Sequence, residues 1–594
     1  MDLPGTAVLQ LPDGRGGGCV WRRFHNPCTV IQARSCAEVL PALAEIAAAT
    51  RRGLHAVGFI AYEAAPAFDA ALAVHPVTPG GLPLLWFGLY AGHEPFPWPS
   101  AESAAPPPAL EWRPEMAEAE HQAAIRRVKA AIAAGATYQV NLTLRLEAAW
   151  PAGVPAWPLF AALCQAQQPL RHGAFLDLGG HALLSASPEL FFELDGGSVT
   201  CRPMKGTAPR GRTTAEDAAL AAALRRSAKD RAENVMIVDM VRNDLGRIAE
   251  VGSVRVRRLF EVERYATVHQ LTSTVTARTR APLPELLRAL FPCASITGAP
   301  KVATMRLIRE LEPSPRGIYT GGIGWIGPAG QARFNVAIRT VHLDRAAGCA
   351  RFGTGGGIVW DSTAEKEWAE CQTKALVLTA RRPAFSLLET LRWTPARGFV
   401  LRERHLARLA DSAAYFGFPC ALAALRERLA AAAAEFATTG GGGGRRVRLL
   451  LAADGTATLE AVPFTPERGR PRRRWRLALA REPVDASDVW LYHKTTRRET
   501  YEAARAGRPE VDDVILWNAA GEVTETTLAN LAVKLAGVWV TPPVGSGLLP
   551  GTLRAALLER GRLRERVVTI ADLERAEEIA LFNSLRGWIP ARLA

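Results

Sequence analysis

The chain runs to 594 residues, longer than one hydrophobic core usually serves, and its 48% apolar and 22% charged residues are those of an ordinary globular protein of two to four domains. No stretch approaches 18 uninterrupted apolar residues, and the opening MDLPGTAVLQLPDGRGGG lacks a basic start followed by an apolar run, so neither a membrane span nor a secretory signal is expected and the cytoplasm is the expected location. A net charge of +14 would suit nucleic acid, but no nucleic-acid-binding motif accompanies the densest basic run, RGRPRRRWR at Arg468–Arg476, which reads as a solvated loop beside a strand; a small dianionic substrate fits the charge equally well.

From the N-terminus to about Pro108 the chain holds strand-like fragments such as LHAVGFIAYEA and ends in PWPSAESAAPPP, a long surface connection inside a larger domain. AEHQAAIRRVKAAIAA, from Ala119 to Ala134, has helical spacing, and the alternating YQVNLTLRLEA after it predicts a strand. A helix is predicted over Ala215–Val241, with its N-cap at Thr213 or Thr214. Short strands follow (SVRVRRLFEVE, HQLTSTVTA), then the Gly-rich pair YTGGIGWIG and FGTGGGIVW. This order is mixed rather than an alternation of strand and helix, which predicts an α+β fold. At Thr379–Pro383 the helical pattern stops in ARRP, and a second unit opens with FSLLETLRW and the helix RERHLARLADSAAYFG. The expected domains are therefore 1–380 and 384–594. Gly440–Gly444 reads as a flexible loop before the strand RRVRLLLAAD, and no internal repeat is visible.

The nine cysteines are scattered without a C-x-x-C pair, so reduced thiols are expected rather than a disulfide framework or a zinc site. Only eight lysines stand among 72 basic residues. A chain so biased toward arginine keeps lysine where an amine that can lose its proton is useful. Two of the eight, Lys205 and Lys494, fall inside the most specific motifs.

The first set of motifs comprises SPELFFEL with Glu189, RPMKGTAPRG with Lys205, KDRAENVMIVDMVRNDLGR with Glu233, ASITGAPK with Thr297, VAIRT with Arg339, GTGGGIVWDS, and EKEWAECQTK with Glu367 and Glu370. Singly, the carboxylates would be solvated helix residues and the glycines plain turns. Together, in this order and spacing, they resemble the chorismate-utilising enzymes: anthranilate synthase component I, aminodeoxychorismate synthase component I, isochorismate synthase and salicylate synthase. The resemblance runs over about Glu118–Ala380, with a weaker match upstream at GFIAYEAAP. It implies layered antiparallel sheets with outer helices, and Mg²⁺ held by Glu233 and Glu370 with Glu367 adjacent, an oxygen set that suits a hard cation. It further implies a substrate carboxylate met by Arg339, Tyr319 and backbone N–H groups around Gly355, Gly356 and Gly357, with His269 and Thr297 lining the pocket, and Glu189 as general acid for the departing 4-hydroxyl. Hydrating members carry lysine where this chain has Gln139, which favours amination. Anthranilate synthases carry a small residue where it has Lys205. The resemblance makes Lys205 the nucleophile that attacks C2 of chorismate before ammonia enters at C4. No Gly-flanked nucleophilic cysteine with a downstream His–Glu pair is present, so the ammonia is expected from a separate glutamine amidotransferase subunit or from solution.

The second set is ETLRW, RHLARL, LYHKTTRRETY, NAAGEVTETTLANLAV, VTPPVGSGLLPGTLR and LFNSLRGWIPA. These resemble the class IV pyridoxal-phosphate enzymes, which include branched-chain and D-amino-acid aminotransferases and aminodeoxychorismate lyase, and imply a two-lobed domain. On that resemblance Lys494 joins the cofactor covalently and then shuttles the proton. Glu525 bonds the pyridine nitrogen, Asn530 orders its loop, and Arg408, Thr527 and Thr552 hold the phosphate. Class IV members share these residues across different reactions. A fusion in which Lys205 predicts aminodeoxychorismate points to a lyase that consumes it, yielding 4-aminobenzoate for folate. The alternatives are an amino-acid aminotransferase in the second domain, an anthranilate synthase-like first domain, and a basic nucleic-acid-binding or scaffold protein on inactive folds. Class IV enzymes commonly dimerise, which leaves a homodimer open.

Overall fold

The computed structural model describes every residue except 1–2, 14–17, 78, 99–105, 380–383, 440–442 and 466–472. Most of the boundary expected at ARRP, parts of the Pro-rich connection, of the Gly440–Gly444 loop and of the basic run therefore lie outside the described residues. The chain divides into two compact units, Met1–Arg210 with Ala221–Arg382, and Gly211–Leu220 with Pro383–Ala594.

The first unit is built on two ten-stranded sheets. One carries Gln139–Ala149, Cys349–Ile358, Thr340–Asp344, His181–Ser187, His172–Asp177 and Ala7–Pro12 side by side, every pair antiparallel. The other carries Met204–Pro209, Val268–Arg278, Ser198–Cys201, Leu190–Asp195, Ala332–Val336, Gly322–Ile326 and His55–Ile60, again antiparallel. Period-2 alternation gives each sheet two buried faces. Leu9, Leu176 and Leu183 of the first sheet meet Val57, Phe59 and Ile323 of the second in one apolar layer. Their sequence neighbours point outward: Val8, Phe175 and Leu184 toward the helix Trp157–Ala166, and Ala56 and Ile60 toward the helices Cys36–Arg51 and Leu283–Leu290. The layers are thus helix, sheet, sheet, helix, the α+β arrangement expected.

The helices expected at 119–134 and the strand after it run at Glu118–Ala133 and Gln139–Ala149. The single helix predicted over 215–241 is two, Thr214–Arg226 and Ala228–Gly246. Thr213 does cap the first, its hydroxyl accepting from Glu216 N–H at 3.2 Å. The break falls at Ser227, whose hydroxyl accepts from Asp230 N–H at 3.3 Å and starts a new helix.

GFIAYEAAP places Glu63 in the interior, where its carboxylate accepts from the N–H groups of Arg316 (2.7 Å) and Gly317 (2.8 Å). Arg316 in turn binds Glu312 at 2.6 Å and the carbonyls of Asn141 (2.7 Å) and Ile296 (2.9 Å). One buried guanidinium thus ties three chain segments that meet at the first unit's cavity.

The second unit has two lobes. A four-stranded antiparallel sheet, Gly398–Phe399, Leu387–Thr394, Arg445–Leu451 and Ala457–Pro463, carries the helices Arg402–Phe416 and Leu422–Thr439 on one face. An eight-stranded mixed sheet forms the other lobe, with Trp475–Leu479 parallel to both neighbours. No helix among the described residues is long and apolar enough to cross a membrane.

Candidate active sites

A cavity of about 270 Å³ opens in the first unit between the strand Met204–Pro209, the helices Ala228–Gly246 and Ala364–Ala375, and the strand Cys349–Ile358. Lys205 reaches it from a β-bulge: Met204 pairs with Thr272 and Thr207 with Gln270, so the residues between are out of register, with Gly206 at φ +98°. A bulge re-aims a side chain that an unbroken ladder would fix. Asn234, fully buried one residue from Glu233, pins the bulge by donating to the carbonyls of Lys205 (3.4 Å) and Leu271 (3.3 Å). Burial, and then the nearby Lys374 charge, lower the pKa of Lys205, against the raising influence of Glu189, Glu233 and Glu370.

Glu189 faces the same cavity at 4% exposure, and burial pushes its pKa up to about 7. The Ser295 hydroxyl donates to it at 2.6 Å and pulls the value back. A carboxyl that keeps its proton near neutrality can give it to a leaving oxygen.

The glycine run makes room for side chains from elsewhere. A Cβ on Gly356 would stand 2.6 Å from Glu367 Oε2, and one on Gly357 would collide with Gln139 Nε2 and stand 3.0 Å from Lys205 Nζ. Lys205 and Gln139 thus converge on one glycine. Gly355–Gly357 pair with Asn141–Thr143 on one edge, and the neighbouring strand Thr340–Asp344 ends its pairing at Phe352, so among the described residues no strand pairs with their other edge.

Glu233, Glu367 and Glu370 all line the cavity. Burial raises Glu233 and Glu367, whereas for Glu370 the Lys374 charge offsets burial and lowers the value. Lys374 Nζ sits 2.5 Å from Glu370 and 2.7 Å from Gly355 O, and Ser362 donates to Glu367 at 2.6 Å. Among the described residues no three acidic, histidine or cysteine groups are close enough together to hold an ion.

Arg339 and Tyr319 line the cavity as expected. Arg339 holds φ +52°, its guanidinium donates to Lys374 O, and burial lowers its pKa to about 10. Two expectations are corrected. His269 is buried but its neighbour Gln270 forms the wall, because adjacent residues of a strand face opposite ways. Thr297 donates back to Cys293 O and Ala294 O, and Ser295 and Ile296 take the wall in its place.

The second unit holds a cavity of about 350 Å³, and Lys494, Glu525, Arg408, Thr527, Asn530 and Thr552 all line it. Burial, with Arg408 adding to it, lowers the Lys494 amine to about 8, so a sizeable neutral fraction exists near neutral pH. Burial raises Glu525 to about 7, while donations from Leu549 N–H (3.0 Å) and the Tyr501 hydroxyl (2.9 Å) restrain it. Asn530 donates to the other Glu525 oxygen at 3.2 Å and to Leu549 O at 2.9 Å. Thr527 corrects its expected role: its hydroxyl donates to the buried Asp513 and its N–H to Val514 O at 3.2 Å, so neither donor is turned to a ligand.

A residue the motif reading passed over organises this site. Glu389, 1% exposed, takes Arg408 through both oxygens (2.8 and 2.7 Å) and His405 Nδ1 at 2.6 Å, while His405 Nε2 lies 3.3 Å from the Thr552 hydroxyl. Burial alone would raise Glu389, but the Arg408 and His405 charges hold it at about 2. Its position in ETLRW, at the inward phase of an alternating strand, was the available signal.

With this geometry in view, comparison with known proteins is decisive for the first unit. Residues 15–380 match the family described as chorismate binding enzyme. The chain belongs to that family. Residues 386–594 match amino-transferase class IV. An aminodeoxychorismate synthase from Streptomyces griseus is 48% identical over 262 residues, 44% of this chain and 35% of its own length. Aminodeoxychorismate synthase component 1 from Salmonella typhimurium strain LT2 is 44% identical over 261 residues, 44% of this chain and 56% of its own. The chain thus spans between a third and a little over half the length of these curated relatives. Anthranilate synthase component I from Streptococcus pneumoniae TIGR4 superposes with a TM-score of 0.53 at 25% identity, covering 64% of this chain and 93% of that one. The chorismate-binding match begins far upstream of Glu118 and so takes in GFIAYEAAP, whose Glu63 anchors the cavity wall.

Proposed function

We propose that the chain aminates chorismate to 4-amino-4-deoxychorismate in the first unit and releases pyruvate from that product in the second, giving 4-aminobenzoate. The observation that carries the reading is the pairing of Lys205 with Glu189 in one cavity, an amine with a lowered pKa facing a carboxyl with a raised one. Glu189 gives its proton to the 4-hydroxyl of chorismate, which leaves as water while neutral Lys205 bonds C2; ammonia then bonds C4 and the lysine is expelled. The names of the Streptomyces griseus and Salmonella typhimurium relatives support amination at this position. Ammonia is supplied by a separate glutamine amidotransferase subunit.

The carboxylates Glu233, Glu367 and Glu370 are an oxygen set that suits Mg²⁺, which would have to draw them closer together, since as they stand no three such groups among the described residues are near enough to hold an ion. Acidic groups facing one cavity disfavour one another's charge, as Glu370 does that of Glu367, and a hard divalent ion with oxygen ligands relieves this. When bound, Mg²⁺ neutralises a substrate carboxylate and polarises the ring. Arg339 and Tyr319 orient the other carboxylate.

The second cavity suits pyridoxal phosphate, with a half-buried lysine of lowered pKa, a buried glutamate and a held arginine around one space. When bound, the cofactor supplies an electron sink beside the substrate amine. Lys494 takes the C4 proton, Glu525 keeps a proton on the pyridine nitrogen, and Arg408 and Thr552 hold the phosphate. Loss of the enolpyruvyl group then leaves an aromatic ring.

The test incubates the full chain with chorismate, Mg²⁺, pyridoxal phosphate and an ammonium salt at mildly alkaline pH and assays 4-aminobenzoate. Lys205→Ala is expected to abolish amination and Lys494→Ala to stop at the aminated intermediate. Formation of anthranilate, or of no aminated product, would overturn the assignment of the first unit.

A further inference from the structure

The three carboxylates of the first cavity are each held by a different group. Glu233 looks to Lys229, 4.0 Å away and largely exposed. Glu367 takes the Ser362 hydroxyl on Oε1 at 2.6 Å, while its Oε2 fills the space that a Cβ on Gly356 would need. Glu370 takes the Lys374 ammonium on Oε1 at 2.5 Å. That ammonium also donates to Gly355 O at 2.7 Å, which fixes it against the glycine run. Held in this way, the three carboxylates do not stand close enough together for one ion. The tethers are unequal obstacles to a metal. A hydroxyl occupies one lone pair of Glu367 and brings no charge, and a carboxylate can accept such a bond while it ligates. The Lys229 pair is long and lies in water, where it contributes little. Lys374 is a full charge, half-buried at the cavity wall and one helical turn from Glu370 on Ala364–Ala375, so the helix itself keeps the two in reach. A cation so placed competes for the carboxylate oxygen and repels an incoming divalent ion at the same range.

Resting on the reading of these carboxylates as the Mg²⁺ set, we infer that Lys374 is a resident competitor for the metal: Mg²⁺ binds by displacing the ammonium from Glu370 and leaves it on Gly355 O. The exchange requires no group to leave the site. The bond to Gly355 O keeps Lys374 in place while Glu370 turns toward Glu367 and Glu233, and the Arg339 guanidinium holds the Lys374 carbonyl from behind. Metal affinity is thus set by a residue that is not itself a ligand.

The experiment titrates the full chain with Mn²⁺ as the probe, without chorismate or an ammonium salt, and reads the free ion by electron paramagnetic resonance. Lys374→Met keeps the length of the side chain and removes its charge. It is expected to bind Mn²⁺ roughly ten-fold more tightly than the parent, the effect of losing about one charge-assisted bond that the metal must otherwise break. Lys374→Arg keeps the charge and should stay within about three-fold of the parent. Equal or weaker binding by Lys374→Met would overturn the competition and leave the Mg²⁺ reading standing, because removing a residue that merely shapes the site weakens the site. Absence of binding by the parent and by Lys374→Met alike would overturn that reading and the competition with it. Should the variants fail to fold, the parent decides. Reductive methylation of Lys374, quantified by mass spectrometry of its peptide, is expected to quicken several-fold on saturation with Mg²⁺, and an unchanged rate overturns the proposal.

Discussion

The Ser295 hydroxyl donates to Glu189 Oε1 across 2.6 Å, and the Cys293 thiol stands 3.2 Å behind the same hydroxyl. With that hydroxyl committed to Glu189, the thiol is the donor in the second contact. The proposed acid therefore sits at the end of a short chain of donors running into the core, and its proton affinity is set from behind as well as from the cavity.

Removing the donor should show in the pH profile. Ser295 stabilises the ionised carboxylate, so Ser295→Ala raises the Glu189 pKa above its present value of about 7. An acid must be protonated to act, so the falling limb of chorismate turnover should move to higher pH, by roughly half to one pH unit for the loss of one hydrogen bond. An unmoved limb would show that another group sets it.

The same carboxyl makes a prediction about stability. Folded Glu189 keeps its proton to about pH 7, whereas an unfolded glutamate loses it near 4.3. Between these values the folded state binds the extra proton, so stability falls as pH rises through that window and is flat beyond it. Glu189→Gln cannot ionise. It should consume no chorismate, yet melt at higher temperature than the parent at pH 8, with the difference closing by about pH 4; a variant that melts lower at pH 8 would contradict the burial argument.

In the second unit, Glu389→Gln removes the anion that holds Arg408 and His405. Charge-assisted bonds of this kind contribute about 1.5–3 kcal/mol, so pyridoxal phosphate should bind roughly ten- to a hundred-fold more weakly. Cofactor titration by absorbance measures this directly, and unchanged affinity would demote the clamp to a packing feature.

Gly356→Ala places a methyl group 2.6 Å from Glu367 Oε2. The carboxylate must move, so the Mg²⁺ concentration for half-maximal chorismate turnover should rise several-fold while the melting temperature changes by only a few degrees. A chain that needs no more Mg²⁺ than the parent would separate Glu367 from the metal.

Arg316→Leu breaks the buried Arg316–Glu312 pair and leaves the glutamate unanswered. About 3–5 kcal/mol of the first unit's stability should go with it. Denaturant unfolding followed by fluorescence would reveal the loss, and a shift under 1 kcal/mol would mean that the network is dispensable.

Much of both sites was legible in the sequence because each motif carries its chemistry in a residue type that few other contexts tolerate. Lys205, Glu189, Lys494 and Glu525 had to leave water to be useful: the two glutamates are buried and the two lysines half-buried, each lining its cavity. The sheet layers were readable from alternation at strands such as Gln139–Ala149. What escaped was the second partner of each group. Nothing in ASITGAPK distinguishes the serine that faces Glu189 from the threonine that turns back on its own loop, since both are short hydroxyls two residues apart and only the local backbone path decides between them. Thr527 was misjudged for the same reason, because its competitor, Asp513, lies 14 residues away in sequence. The break at Ser227 was hidden by an unbroken run of good helix formers on either side.

The two cavities have no lining residue in common: one is drawn from Asn141 to Lys374 and the other from Leu388 to Arg586. On the proposed function they would behave, in genetic terms, as separate complementation groups carried on one polypeptide. A cell or a test tube holding one copy disabled at Lys205 and another disabled at Lys494 should make the product that neither makes alone, at a rate set by how readily the intermediate escapes into solution. The deficit of that mixture against the intact chain would measure how much the covalent tether between the two halves contributes.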